Sequence, residues 1–228
     1  MSFTTMINGP DGPFGAYIAK PANPNGAALI VIQEIFGVNE VMRTLADHYA
    51  GQGYLAIVPD LFWRIQPGIS ITDKTPEDIR RAFELFGKFK ADTGLLDIQA
   101  TIDFARTLCP KVGAVGYCLG GLLAYLTACR TDVDASVSFY GVSIDTYDGE
   151  AGSIAKPLML HVASEDKFVS KEAQGVIQSL AQSHSNLEFH MYQGLDHAFA
   201  RPGGEHFDVD GAALANGRTT KFLADNLL

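Results

Sequence analysis

Cysteine, tryptophan and long apolar stretches are all scarce in this sequence of 228 residues. The three cysteines form neither an even set for disulfides nor the spacing of a metal site, which suits a reducing cytoplasm. The longest apolar stretches, such as Ala27–Ile32, are far shorter than the ~20 residues of a membrane-spanning helix. The sequence begins without a basic segment followed by an apolar core, so we expect no secretory signal.

An excess of positive charge is also absent, since the formal net charge is −9 and the basic residues are scattered. This balance argues against nucleic acid and anionic membranes as partners. Linkers, internal repeats and low-complexity segments are not visible either, so we expect a single domain over residues 1–228. We expect that domain to be a monomer that needs no metal or organic cofactor.

Strand-like and helix-like segments alternate along the chain. The continuously apolar segment Ala27–Ile32 is typical of a strand that is buried on both faces. The alternation predicts an α/β fold with a mostly parallel central sheet and helices on both faces. In such a sheet, ligands bind beyond the carboxyl ends of the strands. Further strands are predicted at 54–58, 111–115, 135–140, 157–162 and 187–192, and helices at 39–51, 75–90, 94–108, 122–128, 171–183 and 211–227.

The segment GYCLGG at 116–121 lies between a predicted strand and a predicted helix. This context is that of the nucleophile elbow Gly-x-Ser-x-Gly, with Cys118 in place of serine. Glycines two residues before and after Cys118 avoid clashes at a strained turn, and the helix start favours a thiolate. Buried cysteines and βα-turn glycines are common, however, so the motif alone also allows a structural role.

Two later residues complete a catalytic pattern with this cysteine. Asp166 follows one predicted strand and His197 follows the next, so both are expected at the sheet edge where Cys118 emerges. The chain order nucleophile, acid, histidine is that of the α/β-hydrolases. Alternatively, Asp166 caps the following helix, or Glu165 is the acid. His197 could also be a loop histidine that is bonded to the backbone.

Several longer segments carry a family resemblance. They are QEIFG at 33–37, GYLAIVPDL at 53–61, GYCLGG at 116–121, YGV at 140–142, EDKF at 165–168, HAFAR at 197–201 and AALANGRT at 212–219. Because they follow one another over nearly the whole chain, the sequence resembles the dienelactone hydrolases (carboxymethylenebutenolidases). These are cysteine-nucleophile members of the α/β-hydrolase fold.

The resemblance implies a role for each residue of the catalytic pattern. Cys118 is implied as the nucleophile, His197 as the base and Asp166 as the residue that orients the histidine. Glu34 is implied in the active site with Arg201 near it, and a buried glutamate would need such a basic neighbour. A salt bridge without a catalytic role is the alternative for Glu34.

The resemblance also implies an oxyanion hole that is made by the backbone N–H groups of Leu119 and Ile35. Such donors stabilise the negative charge that develops during acyl transfer. The implied reaction is attack of the thiolate on an ester carbonyl, followed by hydrolysis of the thioester with help from His197. A small-molecule ester or lactone is therefore the expected substrate.

The predicted substrate-binding residues are Arg201, Phe83 and Tyr140, and this region departs from the family pattern. Phe83 stands where dienelactone-specific members have a tyrosine, and Ile79 stands where they have an arginine. Ala198 stands where a serine is common. Only Arg201 keeps a clear cationic match. These changes replace polar contacts with apolar surface, and apolar sites discriminate weakly between substrates.

The sequence thus leaves several functions open. A dienelactone hydrolase is one, and a carboxylesterase of different or broader specificity with the same machinery is another. A thiol-redox protein would use Cys118, but no C-x-x-C motif or resolving cysteine is evident. A non-catalytic binding module is disfavoured because Cys118, Asp166 and His197 are all present.

Overall fold

The computed structural model describes residues 2–228 and divides the chain into two compact units. The first unit runs to Gly113 and includes the terminal Leu228, and the second unit is Ala114–Leu227. Whether the whole chain is a single domain stays a prediction. Within the described residues 2–228, no helix is both long and apolar enough to cross a membrane.

The first unit contains four strands in the order β1-β2-β4-β3. The strands β1 and β2 form an antiparallel hairpin, β2 pairs antiparallel with β4, and β3 pairs parallel with β4. Every residue of β3 is buried, as its continuous apolar sequence predicts. The bounds are β1 Ser2–Gly9, β2 Gly12–Ala19, β3 Ala27–Ile32 and β4 Leu55–Pro59.

Three helices belong to the first unit: α1 Glu40–Gly51, α2 Pro76–Lys88 and α3 Ala91–Arg106. Asn39 and Thr75 are the N-caps of α1 and α2, and each side chain accepts a backbone N–H of the first turn. Both helices start where the sequence predicts. Helix α1 packs against β2, β3 and β4, and α3 packs against β1, β3 and β4.

Residues 61–75 form the long connection between β4 and α2, and a buried carboxylate holds its first part. Asp97 is fully buried on α3 and accepts a hydrogen bond from Trp63 Nε1 at 2.9 Å. Arg64 pairs with the same carboxylate and, through its other amino group, with Asp11 at 2.6 Å. The connection is therefore anchored by side chains although it has no regular structure.

The second unit contains β5 from Ala114 onward and then β6, β7 and β8, which pair in parallel. Because these strands point the same way, their carboxyl ends lie at one edge. Helix α4 packs against β6, α5 against β8, and α6 against β6 and β7. The bounds are β5 Lys111–Tyr117, α4 Leu119–Arg130, β6 Ala135–Phe139, β7 Leu158–Ala163, α5 Lys171–Ser183, β8 Leu187–Tyr192 and α6 Val209–Leu227.

The predicted α/β class with mostly parallel strands is confirmed. The predicted bounds of α5 and β8 are also those of the structure. Helices α3 and α4 each begin three residues earlier than predicted, and Ile144–Ser153 forms a kinked 3-10 segment that was not predicted. The glycines after Cys118 are part of the first helical turn, where the sequence had indicated a turn only.

Candidate active site

Cys118 lies between the end of β5 and the start of α4, as the elbow motif predicts. Its backbone has φ 58° and ψ −115°, in a region that non-glycine residues rarely adopt. Strain of this kind persists only where the surrounding structure fixes it, and it is concentrated at functional sites. The side chain is largely buried, with 8% of the residue exposed.

Neighbouring glycines make this sharp turn possible. A Cβ atom on Gly116 would overlap the carbonyl group of Gly120. A Cβ atom on Gly121 would lie 2.6 Å from both Gly141 Cα and the carbonyl oxygen of Phe139. Side chains at Gly116 and Gly121 would therefore push α4 away from the strand ends and move the cysteine.

The backbone around Cys118 is tied to the adjacent strand and helix. Its N–H donates to the carbonyl oxygen of Phe139 at 3.1 Å, and its own carbonyl accepts from Gly121 N–H at 2.9 Å. Cys118 is the N-cap residue of α4, at the positive end of the helix dipole. Leu119, predicted to provide an oxyanion-hole N–H, is the first residue of this helix.

Asp166 and His197 come together at the carboxyl ends of β7 and β8. Asp166 Oδ2 lies 2.8 Å from His197 Nδ1, and both side chains are buried. A carboxylate on Nδ1 fixes the ring orientation and leaves Nε2 for the nucleophile. Glu165, the alternative acid, instead pairs with Lys171 at 3.1 Å on the surface.

The charge on His197 is set by its two partners. Burial alone would lower the pKa of His197, but the Cys118 sulfur and the Asp166 carboxylate outweigh burial and raise the pKa to about 10. Both partners contribute through charge and through hydrogen bonds to the imidazole ring. The second unit therefore holds a cysteine, a histidine and an aspartate as one connected set.

Two aromatic rings flank the imidazole of His197. The Tyr140 ring lies 5.1 Å away on the buried side, and the Phe168 ring lies 4.9 Å away, both in edge-to-face geometry. Tyr140 has a φ of 39°, another rarely populated backbone conformation. Phe168 was not predicted as a site residue. Its position two residues after Asp166, within the segment EDKF, was the available signal.

Glu34 and Ile35 lie in the turn that follows β3 in the first unit. Both are buried, with 2% of Glu34 exposed. The turn is fixed by neighbouring contacts: the Gln33 side-chain oxygen accepts the N–H of Leu61 at 3.0 Å, and Gly37 adopts a φ of 76°. The place of Glu34 in the active site and the role of Ile35 as an oxyanion donor stay predictions.

The predicted substrate-binding residues occupy different environments. Arg201 is buried, and its backbone N–H donates to the carbonyl oxygen of Ala198 at 2.9 Å. The chain turns at Ala198, which has a φ of 63°. Tyr140 is fully buried beside His197. Phe83 is half exposed on α2. Binding of substrate by these three residues stays a prediction, as does the pairing of Arg201 with Glu34.

A surface pocket of about 470 Å³ lies elsewhere in the second unit. It is at the amino-terminal ends of β7 and β8, opposite to the ends that carry Asp166 and His197. Two of its cations already have partners, since Arg218 donates to the Tyr192 hydroxyl and Lys221 pairs with Asp225. Its lining residues are Pro157, Met159, Ser185, Asn186, Leu187, Glu188, Arg218, Lys221, Phe222, Asp225 and Asn226.

Comparison with known structures supports the fold. A crystal structure named "Putative Dienelactone Hydrolase" from Klebsiella pneumoniae subsp. pneumoniae MGH 78578 superimposes with a TM-score of 0.82. The match covers 98% of this chain and 99% of that chain at 24% sequence identity. The predicted α/β-hydrolase fold is thereby confirmed.

Comparison of sequences identifies the family. The profile of the dienelactone hydrolase family matches residues 14–227. An Azospirillum brasilense protein named "Putative carboxymethylenebutenolidase" is 47% identical over the full length of both chains. "Carboxymethylenebutenolidase 1" of Cupriavidus pinatubonensis is 35% identical over 93% of this chain and 92% of its own. The chain therefore belongs to the dienelactone hydrolase family.

Proposed function

We propose that the protein is a hydrolase that cleaves a small-molecule ester or lactone through an acyl-enzyme on Cys118. A dienelactone-like substrate would give a maleylacetate-type product. The observation that carries the proposal is the connected set of Cys118, His197 and Asp166 at one edge of the second unit, with the 2.8 Å contact between His197 Nδ1 and Asp166 Oδ2. Family membership supports the same reaction class.

Acylation begins with the cysteine as thiolate and the histidine as imidazolium. The raised pKa of His197 favours the imidazolium form of this residue at neutral pH. The thiolate forms a bond to the carbonyl carbon, and the oxygen takes up the electron pair of the C=O π bond. Backbone N–H groups of Leu119 and Ile35 are the proposed donors to this oxyanion. Collapse breaks the bond to the leaving oxygen, which takes the proton from His197.

Deacylation reverses the proton transfer. Neutral His197 removes a proton from a water molecule, whose oxygen attacks the thioester carbonyl. The tetrahedral intermediate expels the Cys118 thiolate and leaves a carboxylic acid, while His197 is again the imidazolium. Asp166 holds the ring in one orientation through both half-reactions. Glu34 is the proposed alternative to His197 as the base that first deprotonates Cys118.

The surface of α2 favours a second candidate, an esterase of different or broader specificity. Ile79 and Phe83 lie four residues apart on this helix, and both are exposed apolar side chains. Arg81 of the same helix donates to Glu84 at 3.0 Å and to Gln66 at 2.7 Å on the protein surface. A site that has Arg201 but lacks the polar groups of α2 would discriminate weakly against esters without a carboxylate.

One paired assay tests both candidates. Wild-type protein and Cys118→Ala are compared on cis- and trans-dienelactone and on p-nitrophenyl acetate, with Cys129→Ala as a matched control. Burial raises the pKa of the Cys129 thiol to about 11, so this cysteine is not expected to react. We expect Cys118→Ala to lower kcat/KM by at least about a thousandfold, as loss of a catalytic nucleophile does elsewhere.

The substrate preference then distinguishes the candidates. A strong preference for dienelactone supports the dienelactone hydrolase, and faster cleavage of the simple ester supports the broader esterase. Absence of hydrolysis of all substrates by the wild type would contradict both. We further propose that the protein works in the cytoplasm as a monomer without nucleic acid partners.

A further inference from the structure

Phe168 is an exposed aromatic residue that contacts the predicted catalytic histidine. With 58% of its surface exposed, it is one of the most exposed large apolar residues among those described. Even so, its ring centroid lies 4.9 Å from that of His197 at an interplanar angle of 70°. An apolar side chain that stays exposed gains little free energy from burial. Burial therefore does not explain why this ring lies against the imidazole.

A single carboxylate fixes both the histidine and this phenylalanine. Asp166 Oδ2 lies 2.8 Å from His197 Nδ1, and Asp166 Oδ1 accepts the backbone N–H of Phe168 at 2.8 Å. The two bonds use different oxygens of one group. The backbone turn that carries Phe168 is consequently fixed by the same carboxylate that contacts the imidazole.

The hydrogen bond between Asp166 and His197 is shielded from water although it lies close to the surface. Only 1% of the Asp166 side chain and 9% of the His197 side chain are exposed. Tyr140 covers the imidazole on the buried side, so Phe168 is the solvent-facing ring of the two that flank it. Charge interactions weaken when water enters, and a shielding ring preserves them.

Other charged groups near His197 are few in the second unit. Cys118 and Asp166 interact with its ring. Asp196 accepts its backbone N–H at 2.7 Å and pairs in turn with Lys167 at 3.0 Å, and His206 is 3.7 Å from the same carboxylate. A change at Phe168 alters none of these groups, so its effect on the imidazole can be measured separately.

We propose that Phe168 is a positioning residue, whose ring excludes water from the bond between Asp166 and His197 and holds the imidazole toward Cys118. This inference rests on the proposed catalytic function of these three residues. It assigns a role to a side chain that does not itself take part in proton transfer or bond formation.

The kinetic test compares Phe168→Ala with Phe168→Leu. We expect Phe168→Ala to lower kcat by between about tenfold and a hundredfold with little change in KM, since slight misplacement of a catalytic group acts in this range. Phe168→Leu keeps an apolar cover and should recover part of the loss. Phe207→Ala is the matched control, because Phe207 is also exposed in the second unit, at 42%.

A second measurement is independent of any substrate. Nitrogen and proton NMR of the imidazole should show faster exchange of the His197 Nδ1 proton in Phe168→Ala than in the wild type. If Phe168→Ala matches Phe207→Ala in both kcat and Nδ1 exchange, the positioning role is wrong. The NMR result stands even if the wild type cleaves no ester, so failure of the proposed function is recognised separately.

Discussion

Two buried histidines in the second unit have opposite electrostatic surroundings. His197 follows β8, and its partners are the Asp166 carboxylate and the Cys118 sulfur, which raise its pKa to about 10 against the effect of burial. His161 lies within β7 and bonds only to neutral hydroxyls, Tyr192 at 2.8 Å and Thr219 at 2.9 Å. Burial lowers the pKa of His161 well below its usual value, and nearby His190 and Arg218 lower it further.

The difference shows that burial alone does not make a histidine reactive. Each imidazole has two side-chain partners, and both rings are shielded from water. What separates them is the charge of the partners, because a charged partner stabilises the imidazolium and a hydroxyl does not. The surroundings of His197 therefore favour a charged imidazolium, and those of His161 favour a neutral ring.

The largest expected effects come from replacing each histidine in turn. His197→Ala should lower kcat/KM by at least about a thousandfold. His161→Phe keeps a ring of similar size but removes a partner from two buried hydroxyls, and should lower the free energy of unfolding by about 2–3 kcal/mol. Ester hydrolysis and urea denaturation of both variants measure the two effects.

Either of two results would contradict the different roles assigned to His197 and His161. If His161→Phe lost activity while remaining folded, His161 would belong to the catalytic machinery. If His197→Ala lost stability but kept its kcat/KM, its bond to Asp166 would be structural. Circular dichroism of each variant at the assay temperature is the control for folding.

The two histidines should also contribute to the stability of the protein in different pH ranges. The pKa of His197 is raised, so its stabilising contribution is complete below pH 6.5 and is lost as the pH rises through about 10. The pKa of His161 is lowered, so its contribution is complete above pH 6.5 and is lost as the pH falls.

Imidazole NMR titration of the wild type and Cys118→Ser measures these protonation states directly. The serine hydroxyl carries no charge near neutral pH, so we expect the His197 pKa to fall in this variant while His161 stays neutral in both proteins. An unchanged His197 pKa in Cys118→Ser would show that the sulfur is not the partner that raises it.

Much of this arrangement could be predicted from local sequence signals. Turn glycines such as Gly116 precede the nucleophile, and strand periodicity places Asp166 and His197 at the carboxyl ends of consecutive strands. These signals are short-range, since a strand followed by a polar loop is visible in a single window. The strained backbone of Cys118 agrees with the elbow that the motif predicts.

The aromatic surroundings of the histidines could not be predicted in this way. Tyr140 contacts His197 from a backbone conformation with a φ of 39°. A tyrosine in the sequence does not predict this conformation. The position of Phe168 depends on its bond to Asp166. His161 bonds Tyr192 and Thr219, which belong to two elements far from it in the chain, so no local sequence signal predicts these contacts.

The smallest expected effect tests whether the two histidine regions communicate. The Tyr192 hydroxyl bonds both His161 and Arg218, while its ring packs 4.7 Å from that of Phe199, which lies beside Tyr140. Tyr192→Phe removes only the hydroxyl. We expect the free energy of unfolding to fall by about 1 kcal/mol, with kcat and the His197 pKa unchanged.

This result would follow if packed aromatic rings, and no series of hydrogen bonds, connect the regions of His161 and His197. Thr219 still bonds His161 in the variant, so the imidazole keeps one partner and stays neutral. Urea denaturation, ester hydrolysis and imidazole NMR on the same preparation give the three readouts. A fall in kcat beyond about tenfold without unfolding would instead mean that the hydroxyl of Tyr192 influences His197, and that the stabilising and catalytic histidines act as one network.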